Sequence, residues 1–374
     1  MKRITVLGAG LVGKAIAADL CPDFAVTAVD VDAAALQRLQ DRYRVRTIEA
    51  ELADADTVRR AVQHADLVIN ALPGFLGFKT LEAVIDAGQN VVDISFFAED
   101  PFSLDELAKR RGVTAVVDCG IAPGMGNIIL GYWVERFKVI SYDCMVGGLP
   151  RVRRKPFEYK ALFSPVDVLE LYTRPVRCRE NGHLVVKPAL SDPEFVEFDQ
   201  VGTLEAFNTD GLRTLLQTVS VPNMKERTLR YPGHIGLIRA LKDAGFLQTT
   251  PLQVASQRVV PFEVTARLLL DNWKLQEGEE EFTVGRITIA GEQDGRARRI
   301  TYELFDTGDR AAGITSMARV TGYTCTAVAR LVLENRFVRK GISPPEYVGK
   351  EAGCLPAVLQ CLQRCGVAYQ IREE

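Results

Sequence analysis

A glycine-rich turn near the start of the chain places the strongest limit on the fold. The segment ITVLGAGLVGKAIAADL occupies residues 4–20, and Gly8, Gly10 and Gly13 follow directly on an apolar, strand-like run. In a strand–turn–helix unit, glycines at this spacing permit a tight turn, close approach of a pyrophosphate and close packing of the helix on the sheet. The first N–H groups of the helix, which begins at Leu11 and Val12, then face the phosphates.

A secretory signal is the other interpretation of this segment, because basic residues precede an apolar run that ends in Ala15-Ile16-Ala17. Cleavage after Ala17 would remove the leading strand of the β–α series that follows. The cofactor interpretation makes a further prediction that the sequence meets. An acid should end the second strand about 20 residues after the glycines, where it binds ribose hydroxyls, and Asp30 lies there.

Asp30 also predicts which dinucleotide binds. Its carboxylate would repel a 2′-phosphate, and the residues that follow it, Val31, Asp32 and Ala33, include no arginine. We therefore expect NAD rather than NADP, with Val31 beside the bound cofactor.

Strand and helix patterns alternate through the first third of the chain, and several strands are apolar throughout, as expected of strands buried on both faces. Strands are predicted at residues 2–7, 25–30, 45–49, 66–72, 90–95 and 114–119. This alternation predicts an α/β fold of the Rossmann type, with a doubly wound parallel sheet.

The pattern changes after residue 122. Strands then come in runs, including a hairpin at 281–290 and 298–306 around Asp294-Gly295, with helices such as 165–172 and 210–218 between them. We expect residues 1–122 to bind NAD, 123–312 to form an α+β domain, and the helices of 313–374 to return to the first domain.

Composition excludes some classes of function. Lys plus Arg number 46 and Asp plus Glu 48, which argues against nucleic acid or a membrane surface as the main partner. The eight cysteines are scattered, with no histidine beside the closest pair, so neither disulfides nor a zinc site is expected. Reduced cysteines indicate a cytoplasmic protein.

Ligands of such sheets lie beyond the carboxyl ends of the strands. The fourth strand is followed by Ala71, Leu72 and Pro73, which we expect to run along the cofactor. Asp93 and Asp118 end the fifth and sixth strands and would flank the same crevice. Capping of a helix or loop is the alternative role for each acid.

Six sequence blocks together resemble the saccharopine dehydrogenase-like family, and most closely its lysine 6-dehydrogenase branch. The blocks are DCGIAPGMGNI (118–128), GGLP (147–150), YKALFSP (159–165), LYTRP (171–175), FNTDGLRT (207–214) and TLRYPGH (228–234). The resemblance implies a Rossmann domain interrupted by a substrate and oligomerisation domain, a homodimer or homotetramer, and oxidative deamination of the lysine side chain. Phe163 stands where related saccharopine reductases carry Trp, and we place it among the substrate-binding residues.

Deamination of the lysine ε-amine requires a proton acceptor before hydride can leave the adjacent carbon. Asp93, Asp118, Lys160 and His234 are the candidates, and the sequence leaves the choice among them open. A salt bridge with Glu158 is the alternative role of Lys160, and capping of a helix is that of His234.

The substrate's α-carboxylate requires a guanidinium, for which Arg213 and Arg230 are the candidates, with Tyr231 as a hydrogen-bonding or packing neighbour. The product aldehyde would cyclise with its own α-amine to piperideine-6-carboxylate. Two alternatives remain at this stage: reductive amination of the saccharopine or carboxynorspermidine type, and a regulatory protein that binds NAD without turnover.

Overall fold

The computed structural model describes residues 1–162, 165–276 and 278–374. The first part of the chain alternates between strands and helices as the sequence predicts. Its elements are β1 (Arg3–Leu7), α1 (Leu11–Leu20), β2 (Ala25–Asp30), α2 (Ala33–Arg42), β3 (Arg46–Glu49), α3 (Ala55–Val62), β4 (Leu67–Asn70), α4 (Gly74–Asp86), β5 (Val91–Asp93), α5 (Asp105–Arg110), β6 (Thr114–Val116) and α6 (Met125–Val134).

The middle of the chain is richer in strands. Its elements are β7 (Lys138–Pro150), α7 (Pro165–Thr173), β8 (Val176–Glu180), β9 (His183–Lys187), β10 (Glu194–Phe198), β11 (Gly202–Thr209), α8 (Leu215–Thr218), β12 (Asn223–Arg230), α9 (His234–Asp243), β13 (Leu252–Val254), β14 (Gln257–Val259), α10 (Pro261–Trp273), β15 (Glu281–Gln293) and β16 (Arg296–Thr307). The chain ends with α11 (Ser316–Leu333), β17 (Gly341–Ser343), α12 (Pro345–Lys350), α13 (Cys354–Arg364) and β18 (Tyr369–Glu373).

The chain divides into two compact units. The first comprises Met1–Lys138 and Ala318–Tyr369, and the second comprises Val139–Met317 and Gln370–Glu374. Among the described residues, no helix is long and apolar enough to cross a membrane.

The first unit is built on a parallel sheet in the order β17-β6-β5-β4-β1-β2-β3. The order reverses beside β1, which pairs with β2 on one side and with β4 on the other. A core of fully buried side chains, among them Leu7, Val68 and Leu81, lies between this sheet and the helices α3 to α5. The α/β class and the Rossmann-type sheet predicted from the sequence are confirmed. The strand β17 was not predicted.

The second unit contains a mixed sheet in the order β10-β11-β12-β7-β15-β16-β18, with β8 and β9 attached beside β12. The predicted hairpin is present, because β15 and β16 pair antiparallel around Asp294 and Gly295. The helix predicted at 210–218 is wrong over most of its length: only Leu215–Thr218 is helical. Residues 210–214 instead form a buried, non-helical connection in which Arg213 has φ 43°.

Candidate functional site

The glycine-rich turn and Asp30 form one hydrogen-bonded structure in the first unit. Gly8 has φ 100°, and a Cβ added to Gly13 would lie 2.0 Å from the Gly8 carbonyl oxygen, so α1 packs directly on the turn. The Ala9 N–H donates to Asp30 Oδ2 at 2.5 Å, and the Asp32 N–H donates to Oδ1 at 2.9 Å. The Asp30 carboxylate is thereby fixed at the carboxyl end of β2, beside the turn.

The surroundings of the turn fit a dinucleotide. A Cβ added to Gly10 would meet no atom within 4 Å, so the backbone is open to a ligand there. No side chain caps the N-terminus of α1 and no acid lies in its first turn, which leaves the N–H groups of the helix end available to an anion. Leu11 and Val31 are apolar yet 49% and 61% exposed, as expected of side chains that pack against a bound cofactor.

The segment after β4 lies at the same edge of the sheet. Asn70 is in register with Leu7, and the Ala71 N–H donates to the Leu7 carbonyl at 2.8 Å. Leu72 is half-buried, while Pro73 is exposed and precedes the first residue of α4. The predicted cofactor-lining residues therefore adjoin the carboxyl end of the central strand.

Asp93 is completely buried at the end of β5. The Asn70 side-chain amide donates to Oδ2 at 2.6 Å, and the Ser95 N–H and hydroxyl donate to Oδ1 at 2.7 and 2.5 Å. Burial raises the pKa of Asp93 to about 7, against the opposing effect of these hydrogen bonds, and the nearby charge of Asp118 adds to the rise. A carboxyl group with a pKa near neutrality is suited to accepting a proton.

This pKa predicts a measurable pH dependence of stability. The ordinary pKa of an aspartate side chain is 3.8, so below this pH Asp93 is protonated in both the folded and the unfolded protein. Between about pH 4 and 7, the unfolded chain loses this proton while the folded chain keeps it. The free energy of unfolding therefore falls as pH rises through this window. Asp93→Asn abolishes this contribution, so its stability relative to the parent should rise by about 4 kcal/mol between pH 4 and 8.

Urea unfolding of both proteins across this pH range provides the measurement. Comparing the two proteins removes the contribution of the other titrating groups. A difference that stays constant from pH 4 to 8 would mean that Asp93 ionises as it does in an unfolded chain.

Asp118 lies on the neighbouring strand end, in the same unit. Its side chain is buried and its backbone has φ 53°, a conformation uncommon outside glycine. The N–H of the next residue, Cys119, donates to the Asp93 carbonyl at 2.9 Å. The two acids predicted to flank the crevice therefore lie on connected backbone at the ends of adjacent strands.

A buried arginine is the main electrostatic feature of the second unit. Arg230, the last residue of β12, is 2% exposed. Its Nε donates to the Tyr172 hydroxyl at 3.2 Å, its Nη1 donates to the Leu229 carbonyl at 2.9 Å, and its guanidinium carbon lies 4.3 Å from the centre of the Tyr159 ring. None of the described residues hydrogen-bonds to its Nη2 or forms an ion pair with Arg230.

His234 lies in the same cluster, as the first residue of α9. Its Nδ1 lies 2.8 Å from the Phe157 carbonyl oxygen and its Nε2 lies 2.9 Å from the Tyr172 hydroxyl. Burial, together with the charge of Arg230, lowers the pKa of His234 to about 3. His234 is therefore neutral near pH 7 and only a weak proton acceptor there.

Lys160 contacts two backbone carbonyls and a carboxylate. Its Nζ donates to the carbonyls of Lys274 at 3.0 Å and Asn272 at 3.5 Å, at the end of α10, and pairs with Glu279 at 3.2 Å. Glu158, the partner considered from the sequence, pairs with Arg153 instead. A cation at a helix C-terminus stabilises the helix, so these contacts favour a structural role for Lys160.

The remaining candidates differ in their surroundings. The Tyr231 hydroxyl donates to the Pro150 carbonyl at 2.9 Å, and the guanidinium of Arg153 lies over its ring. Arg213 is buried in the connection that precedes α8, where its backbone has φ 43°. Phe163 lies outside the described residues.

Sequence reasoning missed five residues that complete these sites: Asn70, Ser95, Tyr159, Tyr172 and Trp273. Asn70 and Ser95 stand at strand ends, where polar side chains carry the most information about ligands. Tyr159 and Tyr172 lie inside the blocks YKALFSP and LYTRP and could have been found there. Trp273 has no comparable signal, since it ends an ordinary amphipathic helix.

Two family models together match most of the chain. Residues 4–116 match the family model for the saccharopine dehydrogenase NADP binding domain, and residues 120–367 match that for the saccharopine dehydrogenase C-terminal domain. The first domain is thus a nicotinamide-dinucleotide-binding domain.

Several known proteins are similar over much of the chain. The alpha-aminoadipic semialdehyde synthase of Arabidopsis thaliana is 22% identical across 67% of this chain, which spans 24% of that protein's length. The carboxyaminopropylagmatine dehydrogenase of a Synechocystis species is 21% identical across 91% of this chain and 92% of its own. The apo saccharopine dehydrogenase (L-Glu forming) of Saccharomyces cerevisiae superposes over the whole of both chains, with a TM-score of 0.82 at 16% identity, which shows a common fold.

The glycine-rich turn, the reversal of strand order beside β1, and the two matched domains lead to the same conclusion. This chain belongs to the saccharopine dehydrogenase family.

Proposed function

We propose that the protein oxidises the ε-amine carbon of L-lysine to an imine with NAD as hydride acceptor, and that water hydrolyses this imine to ammonia and an aldehyde, which cyclises to piperideine-6-carboxylate. The observation that carries the proposal is the buried guanidinium of Arg230, whose Nη2 has no hydrogen-bond partner among the residues that the structure describes. Burying a charge without a counter-ion is costly, so an arginine in this state is best explained by an anionic ligand that pairs with it. The α-carboxylate of an amino acid is such a ligand.

The residues of the chain have separable tasks in this reaction. Arg230 binds the carboxylate of the substrate. The aliphatic stem and the distal amine of the substrate then extend away from the guanidinium. The aromatic rings of Tyr159 and Trp273, which pack at 5.2 Å, exclude water from the guanidinium and strengthen its attraction for the carboxylate. Bound nicotinamide supplies the hydride acceptor.

Asp93 is the candidate best matched to proton transfer. A protonated amine must lose its proton before the adjacent carbon can give up hydride, and a base with a pKa near 7 does this most effectively at neutral pH. Asp93 has such a pKa. Neither the low pKa of His234 nor the occupied donors of Lys160 suits this step.

NAD is the proposed cofactor because of Asp30. The description of the matched domain names NADP, yet a carboxylate fixed at the end of β2 opposes a 2′-phosphate and accepts the hydroxyls of an unmodified ribose. Arg38, a basic residue on α2, is paired with Asp32 at 3.9 Å.

The names of the relatives favour a second candidate. A saccharopine dehydrogenase and a carboxyaminopropylagmatine dehydrogenase are among them. A reaction of this type, which joins an amine to a carbonyl compound by reduction, would need NADPH and no free ammonia.

Absorbance of the reduced cofactor distinguishes oxidation of lysine from a reaction of the saccharopine type. Purified protein with lysine and NAD should form NADH together with equimolar ammonia, whereas ornithine and saccharopine should be poor substrates. Activity with saccharopine and NADP, in the absence of lysine oxidation, would replace the proposal by its alternative.

A further inference from the structure

The hydrogen bonds around His234 have a defined direction. The Phe157 carbonyl can only accept, so Nδ1 of His234 carries the hydrogen of the neutral ring. Nε2 is then an acceptor, and the Tyr172 hydroxyl donates to it at 2.9 Å. The oxygen of Tyr172 has lone pairs left, and it accepts the Nε–H of Arg230 at 3.2 Å.

Packing holds this chain of hydrogen bonds in place. The His234 ring contacts the rings of Phe157, Tyr159, Tyr172 and Trp273, with centres 5.3 to 6.3 Å apart. His234 and Tyr172 are 3% and 0% exposed, so neither side chain can exchange its partner for water. Only three residues separate His234 from Arg230, and Gly233, with φ 95°, makes the turn that brings both into the cluster.

The charges that face His234 come from the same cluster. Arg230 is the cation that acts on it, and Tyr159 and Tyr172 are the other titratable side chains against its ring. Burial raises the pKa values of both tyrosines, so their hydroxyls stay protonated. The hydrogen-bond direction is therefore the same across the working pH range of an enzyme.

We propose that His234 is a positioning residue: through Tyr172 it fixes the orientation of the Arg230 guanidinium, so that the unpartnered Nη2 meets the substrate carboxylate. This inference rests on the proposed function, because it takes the carboxylate to be that of the substrate. A guanidinium held by one hydrogen bond to a backbone carbonyl could rotate about its last torsion angles. The second bond, from Nε to Tyr172, removes that freedom before the ligand arrives.

Three variants test the relay. His234→Asn keeps an amide near the Phe157 carbonyl but removes the acceptor for Tyr172, whereas His234→Gln places an amide oxygen near the former Nε2. Tyr172→Phe keeps the ring and removes the hydroxyl. With lysine, His234→Asn and Tyr172→Phe should lose about 10- to 100-fold in kcat/KM, mostly through KM, as expected for a hydrogen bond to a charged group. His234→Gln should recover most of this loss.

The control substrate is 1,5-diaminopentane, which is lysine without its carboxylate. With this diamine, the fold-loss of kcat/KM in each variant should be at least about tenfold smaller than with lysine. The double variant His234→Asn/Tyr172→Phe should be no worse than either single variant, because both break the same relay. The pH profile of kcat/KM should keep its shape in His234→Asn.

Equal losses with lysine and with the diamine, or a lost ionisation in the pH profile, would overturn the positioning role. Calorimetric titration of lysine and of the diamine into each protein, with NAD present, separates this failure from failure of the proposed function. Carboxylate-dependent binding that weakens in the variants, without turnover in the parent, would reject only the reaction. Turnover of lysine that is insensitive to all three variants would reject only the positioning role.

Discussion

Replacing Arg230 by methionine is expected to lower kcat/KM for lysine by about 1000-fold, equivalent to about 4 kcal/mol, because a buried charge pair with the substrate is lost. Activity with 1,5-diaminopentane should change far less, since that substrate has no carboxylate. Steady-state rates with both substrates provide the measurement. Arg230→Lys should be intermediate, because a point charge lacks the planar fork that matches a carboxylate.

The stability of the same variant should not follow its activity. Arg230 has no counter-ion among the described residues, so a methionine of similar length removes an uncompensated buried charge. We expect the free energy of unfolding to stay within about 1 kcal/mol of the parent value, or to rise. Arg267→Met, at an arginine that is exposed on α10, is the matched control and should leave both quantities unchanged. Unfolding of Arg230→Met, or equal losses with both substrates, would identify Arg230 as part of the core only.

Replacing Asp30 by serine should reduce kcat/KM for NAD by about 100-fold, because a charge-assisted hydrogen-bond acceptor for the ribose hydroxyls is lost. Adding Val31→Arg should then favour NADP, since a guanidinium at that exposed position would face a 2′-phosphate. Rates with the two cofactors at saturating lysine provide the measurement.

Asp54→Asn is the control for the cofactor experiment. Asp54 is an exposed residue that caps α3 by accepting the Thr57 N–H at 2.8 Å, and asparagine caps a helix as well as aspartate does. It should leave the preference between cofactors unchanged. A parent protein that prefers NADP would show that Asp30 only braces the glycine-rich turn through the Ala9 N–H.

Much of the first unit could be predicted because its signals are local. The strands β1, β4 and β5 are mostly apolar, and each is followed by a turn and a helix, which together specify a parallel sheet. The strand β17 was missed because it has only three residues, Gly341–Ser343, and its partner β6 lies more than 200 residues earlier in the chain. No local pattern encodes that pairing.

The second unit was harder to predict because its interior strands carry charges. The strand β12 reads NMKERTLR and resembles a solvated loop, yet it pairs with β7 and β11. Arg227 on this strand is buried, and the carboxylates of Asp143 on β7 and Glu194 on β10 compensate its charge. Burial that depends on partners from distant segments has no signature in a single sequence window.

The candidate site also combines residues that could be predicted from the sequence with residues that could not. Gly8, Gly10, Gly13 and Asp30 were identified because their spacing in the chain reflects the geometry of one turn. The partners of Asp93 and His234 were not identified, because they come from other elements: Asn70 lies 23 residues from Asp93, and Tyr172 lies 62 residues from His234. Asp93 and His234 could be named as candidates because carboxyl and imidazole side chains can transfer protons. Their pKa values could not be predicted, because these depend on burial and on neighbours that only the fold provides.

Transfer of deuterium tests whether a lysine side chain gives hydride to a nicotinamide cofactor on this protein. Lysine dideuterated at the carbon that bears the ε-amine is incubated with NAD and purified protein, and the reduced cofactor is analysed by mass spectrometry. We expect a reduced cofactor that carries one deuterium. Reduced cofactor without deuterium, or none at all from a protein shown to bind NAD, would contradict this expectation.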